Sequence, residues 1–165
     1  MIFAARDRFE RDEPAPPLEA PPAPHEALFQ EIAARQLASF RFLAVPLQFW
    51  LAAIGSQAAR DRTTALAAWP AIKSEIDAGR PAMVGLVREP GWNPLARGLG
   101  HQVLGYRYAE SATKVSIWAY DPNEPRNDDV VASFERRADG RLKYSYVPMA
   151  PLVGLLSLPY DPPRR

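Results

Sequence analysis

Cysteine is missing from this 165-residue sequence. Its absence excludes disulfide bonds, thiolate metal ligands and a thiol nucleophile within the chain as given. Histidine is nearly as scarce, since His25 and His101 are the only two in the sequence. Two histidines are too few for a histidine-rich metal site, so we expect no metal site and no cofactor.

The sequence also lacks a strong charge of one sign and a long apolar run. The formal net charge is +1, and no basic stripe alternates with aromatic residues, which argues against a nucleic-acid partner. No run approaches the roughly 18 apolar residues of a membrane span. Charges at Arg6, Asp7, Arg8 and Glu10 interrupt any signal-peptide apolar region. We therefore expect a soluble, cytoplasmic protein with no membrane contact.

The length fits one domain, and a chain of this size can bury a substantial core without covalent links. Proline is plentiful in two segments, a stiff connector over residues 13–24 and a tail over residues 159–165. Hydrophobic periodicity predicts helices in the first half of the chain: over residues 1–12, from Pro24 to Phe40, from about Pro46 to Ile54, and from Pro70 to Gly79.

The second half of the chain has the shorter period that is typical of strands. Apolar or alternating segments predict strands over residues 81–87, 101–109, 113–120, 129–135, 142–147 and 152–158. Helices that precede a run of strands favour an α+β fold, in which N-terminal helices pack on a mainly antiparallel sheet. We expect residues 1–165 to form one such domain.

His101 opens one predicted strand and Asp121 closes the next. A hairpin centred on residues 110–112 would place His101 directly opposite Asp121, on the face that carries Val103 and Ile117. Opposed side chains have Cβ atoms roughly 4.5–5.5 Å apart, and a slip of two residues would leave them diagonal neighbours. The pattern predicts a histidine with an orienting carboxylate, or alternatively a buried pair with a purely structural role.

Three segments of this half resemble the C-terminal half of papain-like cysteine peptidases, especially the C39-like branch: GRPAMVGLV, GHQVLGYRY and VSIWAYDPN. The resemblance covers residues 79–123. It implies that His101 is the general base and that Asp121 orients its imidazole, with Asn123 a weaker candidate for that orienting role. It also implies a peptide or protein substrate. Trp92, on the loop before His101, is a candidate for lining the substrate cleft or for packing.

The first ten residues, MIFAARDRFE, are similar to the body of the helix that carries the nucleophilic cysteine in that superfamily. The resemblance implies that the cysteine lies a few residues before Met1, outside the sequence given, so that the fold is papain-like without its N-terminal segment. A thiolate there would be favoured by the helix dipole and by the histidine. No serine begins this helix, so no residue of the chain replaces the thiol.

Three hypotheses follow from the sequence. The chain is a papain-like amide-hydrolysing domain whose cysteine lies outside it, and it is inert as written. Alternatively, it is a non-catalytic pseudoenzyme that binds a peptide or a partner protein. In the third hypothesis, it is a structural α+β domain in which His101 and Asp121 form only a hydrogen-bonded pair.

Overall fold

The computed structural model describes residues 2–14, 22–40, 44–88, 100–124, 126–147 and 152–162. Within these residues the first half of the chain is helical. The helices are α1 (Ile2–Glu10), α2 (Ala27–Phe40), α3 (Ala44–Ile54), α4 (Gln57–Thr63) and α5 (Trp69–Asp77), with one turn of π-helix over Thr64–Ala68 between the last two.

The helical run from Gln57 to Asp77 has clear start and stop signals. Ser56 caps its beginning, where its hydroxyl accepts a hydrogen bond from the backbone N–H of Ala59 at 3.2 Å. Gly79 ends it with a φ of 74°, a left-handed conformation that glycine adopts without steric cost. The sequence predicted this stop but placed the start at Pro70, which lies instead at the first turn of α5.

The second half forms a six-stranded antiparallel sheet. Its strands are β1 (Ala82–Val87), β2 (Gly100–Glu110), β3 (Lys114–Tyr120), β4 (Val131–Arg136), β5 (Leu142–Val147) and β6 (Gly154–Ser157). Their spatial order is β5-β4-β3-β2-β1-β6. The predicted α+β class, with helices first and an antiparallel sheet second, is therefore confirmed, and the strands lie close to their predicted positions.

Helices cover both faces of this sheet. On one face α5 and the π-turn supply Ala68, Trp69 and Ile72 to a core with alternate residues of the strands, such as Val84 and Leu86. On the other face α1 and α3 supply a second core of buried residues: Ile2, Phe3, Val45 and Phe49, together with Met83, Val87, Leu104, Leu156 and Leu158. Because strand side chains alternate, neighbouring residues of β1 belong to different cores.

The edge strand β6 is closed by a side chain of the π-turn. The hydroxyl of Thr64 accepts from the backbone N–H of Leu155 at 3.0 Å and lies 3.2 Å from its carbonyl oxygen, to which it donates. Thr64 is fully buried. One side chain thus satisfies both outward-facing backbone groups of this residue.

Helix α1 buries charge as well as apolar surface. Phe9 of this helix is exposed, whereas Arg6 and Asp7 are buried. Asp7 accepts hydrogen bonds from the hydroxyl of Tyr160 at 2.7 Å and from Nε of Arg35 at 2.6 Å. Buried charges of this kind persist only when they are paired, and these pairs tie α1 to α2 and to the C-terminal segment.

The connector predicted over residues 13–24 lies mostly outside the described residues, as do the last three residues of the tail. Residues 159–162 of the tail have no regular secondary structure. Among the helices that the structure describes, none has the length and apolar character needed to cross a lipid bilayer.

Candidate functional site

His101 and Asp121 are in contact. Nε2 of His101 lies 2.8 Å from Oδ1 of Asp121, which is the distance of a charge-assisted hydrogen bond. Asp121 is fully buried, while the His101 side chain keeps 15% of its surface exposed. A buried carboxylate that is hydrogen-bonded to one nitrogen of a partly exposed imidazole fixes the ring orientation and leaves the other nitrogen able to contact a group at the surface.

The strand register that creates this contact differs from the prediction. The turn of the β2–β3 hairpin is Ala112–Thr113, not residues 110–112, because Ser111 and Lys114 close it with a backbone hydrogen bond of 2.8 Å. From the turn, the pairs run from Glu110 with Val115 to Arg107 with Trp118. In that register His101 and Asp121 would lie on opposite faces.

A β-bulge between Gly105 and Arg107 corrects this. Beyond it the register shifts by one residue, so that Gly105 pairs with Ala119 and Leu104 with Tyr120. The shift returns His101 and Asp121 to one face as diagonal neighbours instead of directly opposed residues. The direct opposition predicted from the sequence is wrong, while the shared face is correct.

Three donors hold the Asp121 carboxylate. Oδ1 accepts from Nε2 of His101 and from the backbone N–H of Asn123, at 2.8 Å each, and Oδ2 accepts from the hydroxyl of Tyr146. Burial favours the neutral acid, yet the hydrogen bonds from His101, Tyr146 and Asn123 outweigh it and lower the pKa of Asp121. The group therefore remains an anion and an acceptor near neutral pH.

The Tyr146 hydroxyl remains protonated, and therefore remains a hydrogen-bond donor in this cluster. Burial raises the pKa of Tyr146 far above its ordinary value, and its bond to the Asp121 carboxylate raises it further. Its ring lies 6.5 Å from the imidazole of His101, centroid to centroid. Tyr146 thus stays protonated and donates a hydrogen bond to Oδ2, the carboxylate oxygen that does not bond to His101.

The second imidazole nitrogen, Nδ1, has no hydrogen-bond partner in the part of the chain that the structure describes. With Nε2–H donating to Asp121, Nδ1 carries the lone pair and is the atom able to accept a proton. Two serines of the sheet, Ser133 and Ser145, are hydrogen-bonded to each other at 2.7 Å and lie on the opposite face from His101. Among the described residues, no hydroxyl or amine side chain is hydrogen-bonded to Nδ1 of His101, where a nucleophile would be activated.

Helix α1 packs on the sheet face opposite to His101. Ile2 and Phe3 of its first turn share a core with Val87 and Phe49. An ideal Cβ placed on Gly100 would overlap the ring of Phe49, so this ring lies directly behind the residue that precedes His101. The start of α1 and His101 therefore lie on different faces of the sheet.

Trp92 and Asn123 are the two remaining predicted site residues. Trp92 lies outside the described residues, so its proposed place beside a cleft stays a prediction. Asn123 contributes through its backbone N–H to Asp121. His25 is exposed and distant in sequence from the site. No cluster of metal-ligating side chains occurs in the described ranges.

Tyr146 is the site residue that sequence reasoning missed. Its strand was predicted, but its role depends on the strand order, which places β5 two strands away from β3. Ala132 of β4 pairs with Tyr146 and lies between these strands. The contact of Tyr146 with Asp121 therefore becomes predictable only once the strand order and pairing are known.

Two open cavities lie away from the His101–Asp121 pair. One of about 1070 Å³ is lined by Arg6, Glu10, Glu75, Arg80 and Tyr160 among others, and its charged residues are largely paired with one another. The other, of about 620 Å³, lies between α3, α4 and β6. Neither is lined by His101 or Asp121, so neither is a cleft for chemistry at this pair.

Comparisons of this chain with protein-family models, with curated proteins and with solved structures found no match.

Proposed function

We propose that His101 and Asp121 form the base of a papain-like, C39-like site for amide hydrolysis or acyl transfer, whose nucleophile is a cysteine absent from this sequence. The observation that carries the proposal is the contact between Nε2 of His101 and the buried Asp121, at 2.8 Å. The contact leaves Nδ1 without a partner in the described residues, and it gives the imidazole one fixed tautomer.

Each residue has a defined role in the proposed reaction. Nδ1 of His101 takes the proton of the cysteine thiol, and the thiolate attacks the carbonyl carbon of a peptide amide. The protonated imidazole then gives this proton to the leaving amine, and water releases the acyl group from sulfur in a second step. Asp121 holds the orientation of His101 and stabilises the imidazolium without taking the proton.

The fold sets a requirement for the missing nucleophile. Because α1 packs on the face opposite to His101, a cysteine preceding α1 would have to reach around the sheet to the face that carries His101. Val87 and Gly100 form the last pair of the β1–β2 ladder, next to His101.

The test is to read the codons upstream of Met1 and to express the chain with the residues they encode. We expect an in-frame cysteine within a few codons and, in the extended protein, alkylation by iodoacetamide at neutral pH at least about tenfold faster than a free thiol. His101→Asn should abolish this excess, whereas His25→Asn, a change at an exposed histidine, should leave it intact. Stop codons upstream would contradict the proposal.

The second candidate is a non-catalytic domain that binds a peptide or protein through the same surface. The observation that favours it is the lack of any cysteine in the sequence, together with the lack of a hydroxyl at Nδ1 in the described residues. This candidate predicts upstream codons without cysteine and saturable binding of a peptide that His101→Asn weakens. A purely structural pair predicts instead that His101→Asn changes only the free energy of unfolding.

A further inference from the structure

Tyr146 is bonded to the half of the Asp121 carboxylate that His101 does not use. The tyrosine comes from β5, and its hydroxyl passes β4 to reach Oδ2 of Asp121 at the end of β3. Both side chains are buried, with 4% of Tyr146 and none of Asp121 exposed. Because both side chains are buried, bulk water does not reach this bond.

A carboxylate can rotate about its terminal torsion, and that torsion is broad in proteins. Oδ1 receives two donors, from His101 and from the backbone of Asn123, at 2.8 Å each. If Oδ2 had no donor, it would be a buried and unsatisfied anionic oxygen, and rotation toward another donor would lower its free energy. The Tyr146 hydroxyl removes this tendency.

We propose that Tyr146 is a positioning residue, which holds Oδ2 of Asp121 so that Oδ1 stays directed at Nε2 of His101 and Nδ1 keeps its lone pair. Its value for catalysis rests on the proposed function, but its effect on the imidazole does not. The charged and titratable groups around this cluster are Tyr120 beside Asp121, and Arg88 and Glu124 near Tyr146. Among the described residues, none of these three side chains donates to the Asp121 carboxylate. The backbone N–H of Glu124 donates instead to the backbone carbonyl of Asp121, at 3.0 Å.

The chain supplies a matched control. Tyr144 lies two residues earlier on β5, on the same face, and its hydroxyl also reaches a buried carboxylate. Its partners are Asp61 at 2.9 Å and Thr64 at 3.2 Å, not Asp121. Tyr144→Phe therefore removes a comparable tyrosine–aspartate hydrogen bond, from a partly buried ring, without touching the candidate site.

The experiment measures the tautomer of His101 by long-range proton–nitrogen NMR, on the chain as given with ¹⁵N-labelled histidine, at a pH where the imidazole is neutral. The native chain should show the Nε2–H tautomer. Tyr146→Phe should raise the Nδ1–H population about fivefold, the factor expected for loss of one net hydrogen bond. Tyr144→Phe should leave the populations unchanged.

Three outcomes would overturn the inference: an unchanged tautomer in Tyr146→Phe, an equal change in both variants, or an Nδ1–H tautomer in the native chain. The last measurement needs no variant and so holds even if Tyr146→Phe fails to fold. Because the readout requires no nucleophile, it stands whether or not upstream codons encode cysteine. In the extended protein, Tyr146→Phe should also slow alkylation at neutral pH, and Tyr144→Phe should not.

Discussion

At the scale of single residues, Asp121 is the group on which the candidate site depends. Its carboxylate is fully buried, and it binds His101, Asn123 and Tyr146 at once. A buried anion is stable only while its donors remain, so these bonds fix the positions of three chain segments. The same residue therefore contributes both to the proposed chemistry and to the fold.

Asp121→Asn should weaken the dependence of the free energy of unfolding on pH in the acid range. The pKa of Asp121 is lower in the folded chain than in the unfolded one, so its contribution is full above pH of about 3.9 and is lost as pH falls below that value. Denaturant titrations between neutral and acid pH should show the variant less stable by about 1–3 kcal/mol at neutral pH. They should also show a smaller loss of stability toward acid.

Asp128→Asn, a change at an exposed carboxylate, is the control for this prediction. Its profile should follow that of the native chain. An Asp121→Asn profile that keeps the native slope would mean that the carboxylate is not held as the structure indicates.

Gly100→Ala should disturb the packing behind His101. An added Cβ at Gly100 would overlap the ring of Phe49, which also lies 2.8 Å from the Cβ position of Gly85. Overpacking of this kind costs about 1–3 kcal/mol in the free energy of unfolding. The loss should be much smaller in a Phe49→Ala background, and a double-mutant cycle measures the difference. Additive effects of the two substitutions would refute the contact.

At the scale of elements, the β2–β3 hairpin shows how far sequence reasoning reaches. Alternation predicted both strands and the face shared by His101 and Asp121, because side-chain direction repeats every two residues. The turn position was wrong, and the bulge at Gly105–Arg107 was not foreseen. Moving the turn by one position would have placed His101 and Asp121 on opposite faces, and the one-residue shift at the bulge reverses this change. The prediction of a shared face is therefore correct, although it did not include the bulge.

The helical half shows a different limit. Pro70 was interpreted as a helix start because proline suits the first turn of a helix. The structure instead continues the helix from Gln57 through a π-turn at Thr64–Ala68, where the backbone N–H of Trp69 bonds to the carbonyl of Thr64. Such wider turns depend on tertiary packing, here of Thr64 on β6, which local sequence does not encode.

Asp7→Ala should loosen helix α1 from its neighbours. Asp7 is buried and binds both Tyr160 and Arg35, so the substitution leaves Arg35 without its buried partner. Removal of one partner of a buried pair destabilises by about 3–5 kcal/mol. Chemical denaturation measures the change. Glu13→Ala, at an exposed ion pair with Arg11, should have a much smaller effect, and equal losses would contradict this assignment.

At the scale of the whole molecule, three buried aspartates are each held by a tyrosine hydroxyl from a distant part of the chain. The pairs are Asp7 with Tyr160, Asp61 with Tyr144, and Asp121 with Tyr146. They connect the first helix to the C-terminal segment, α4 to β5, and β3 to β5. Interior polar contacts thus complement the two apolar cores as links between segments that are separated in the sequence.

These pairs predict a sharp alkaline transition. Burial, followed by the bond to an aspartate, raises the pKa of Tyr146 and Tyr160, and burial raises that of Tyr144. A group whose pKa is raised in the folded chain stabilises it fully below the unfolded value of about 10, and this contribution is lost as pH rises further. Tyrosinate absorbance from these residues should therefore appear together with loss of circular dichroism. If all six tyrosines ionised before the chain unfolded, the predicted coupling of ionisation to unfolding would be wrong.

Thr64 has a consequence for how molecules of this protein meet. An open sheet invites a strand of another copy to extend it, and such growth begins at exposed backbone groups along the outermost strand. On β6 the groups of Leu155 are already bonded to Thr64, so an incoming strand finds no acceptor and no donor at that residue. Association through this edge of the sheet would first require the π-turn to move away from β6. Thr64 therefore disfavours the edge-to-edge strand pairing from which fibrils grow.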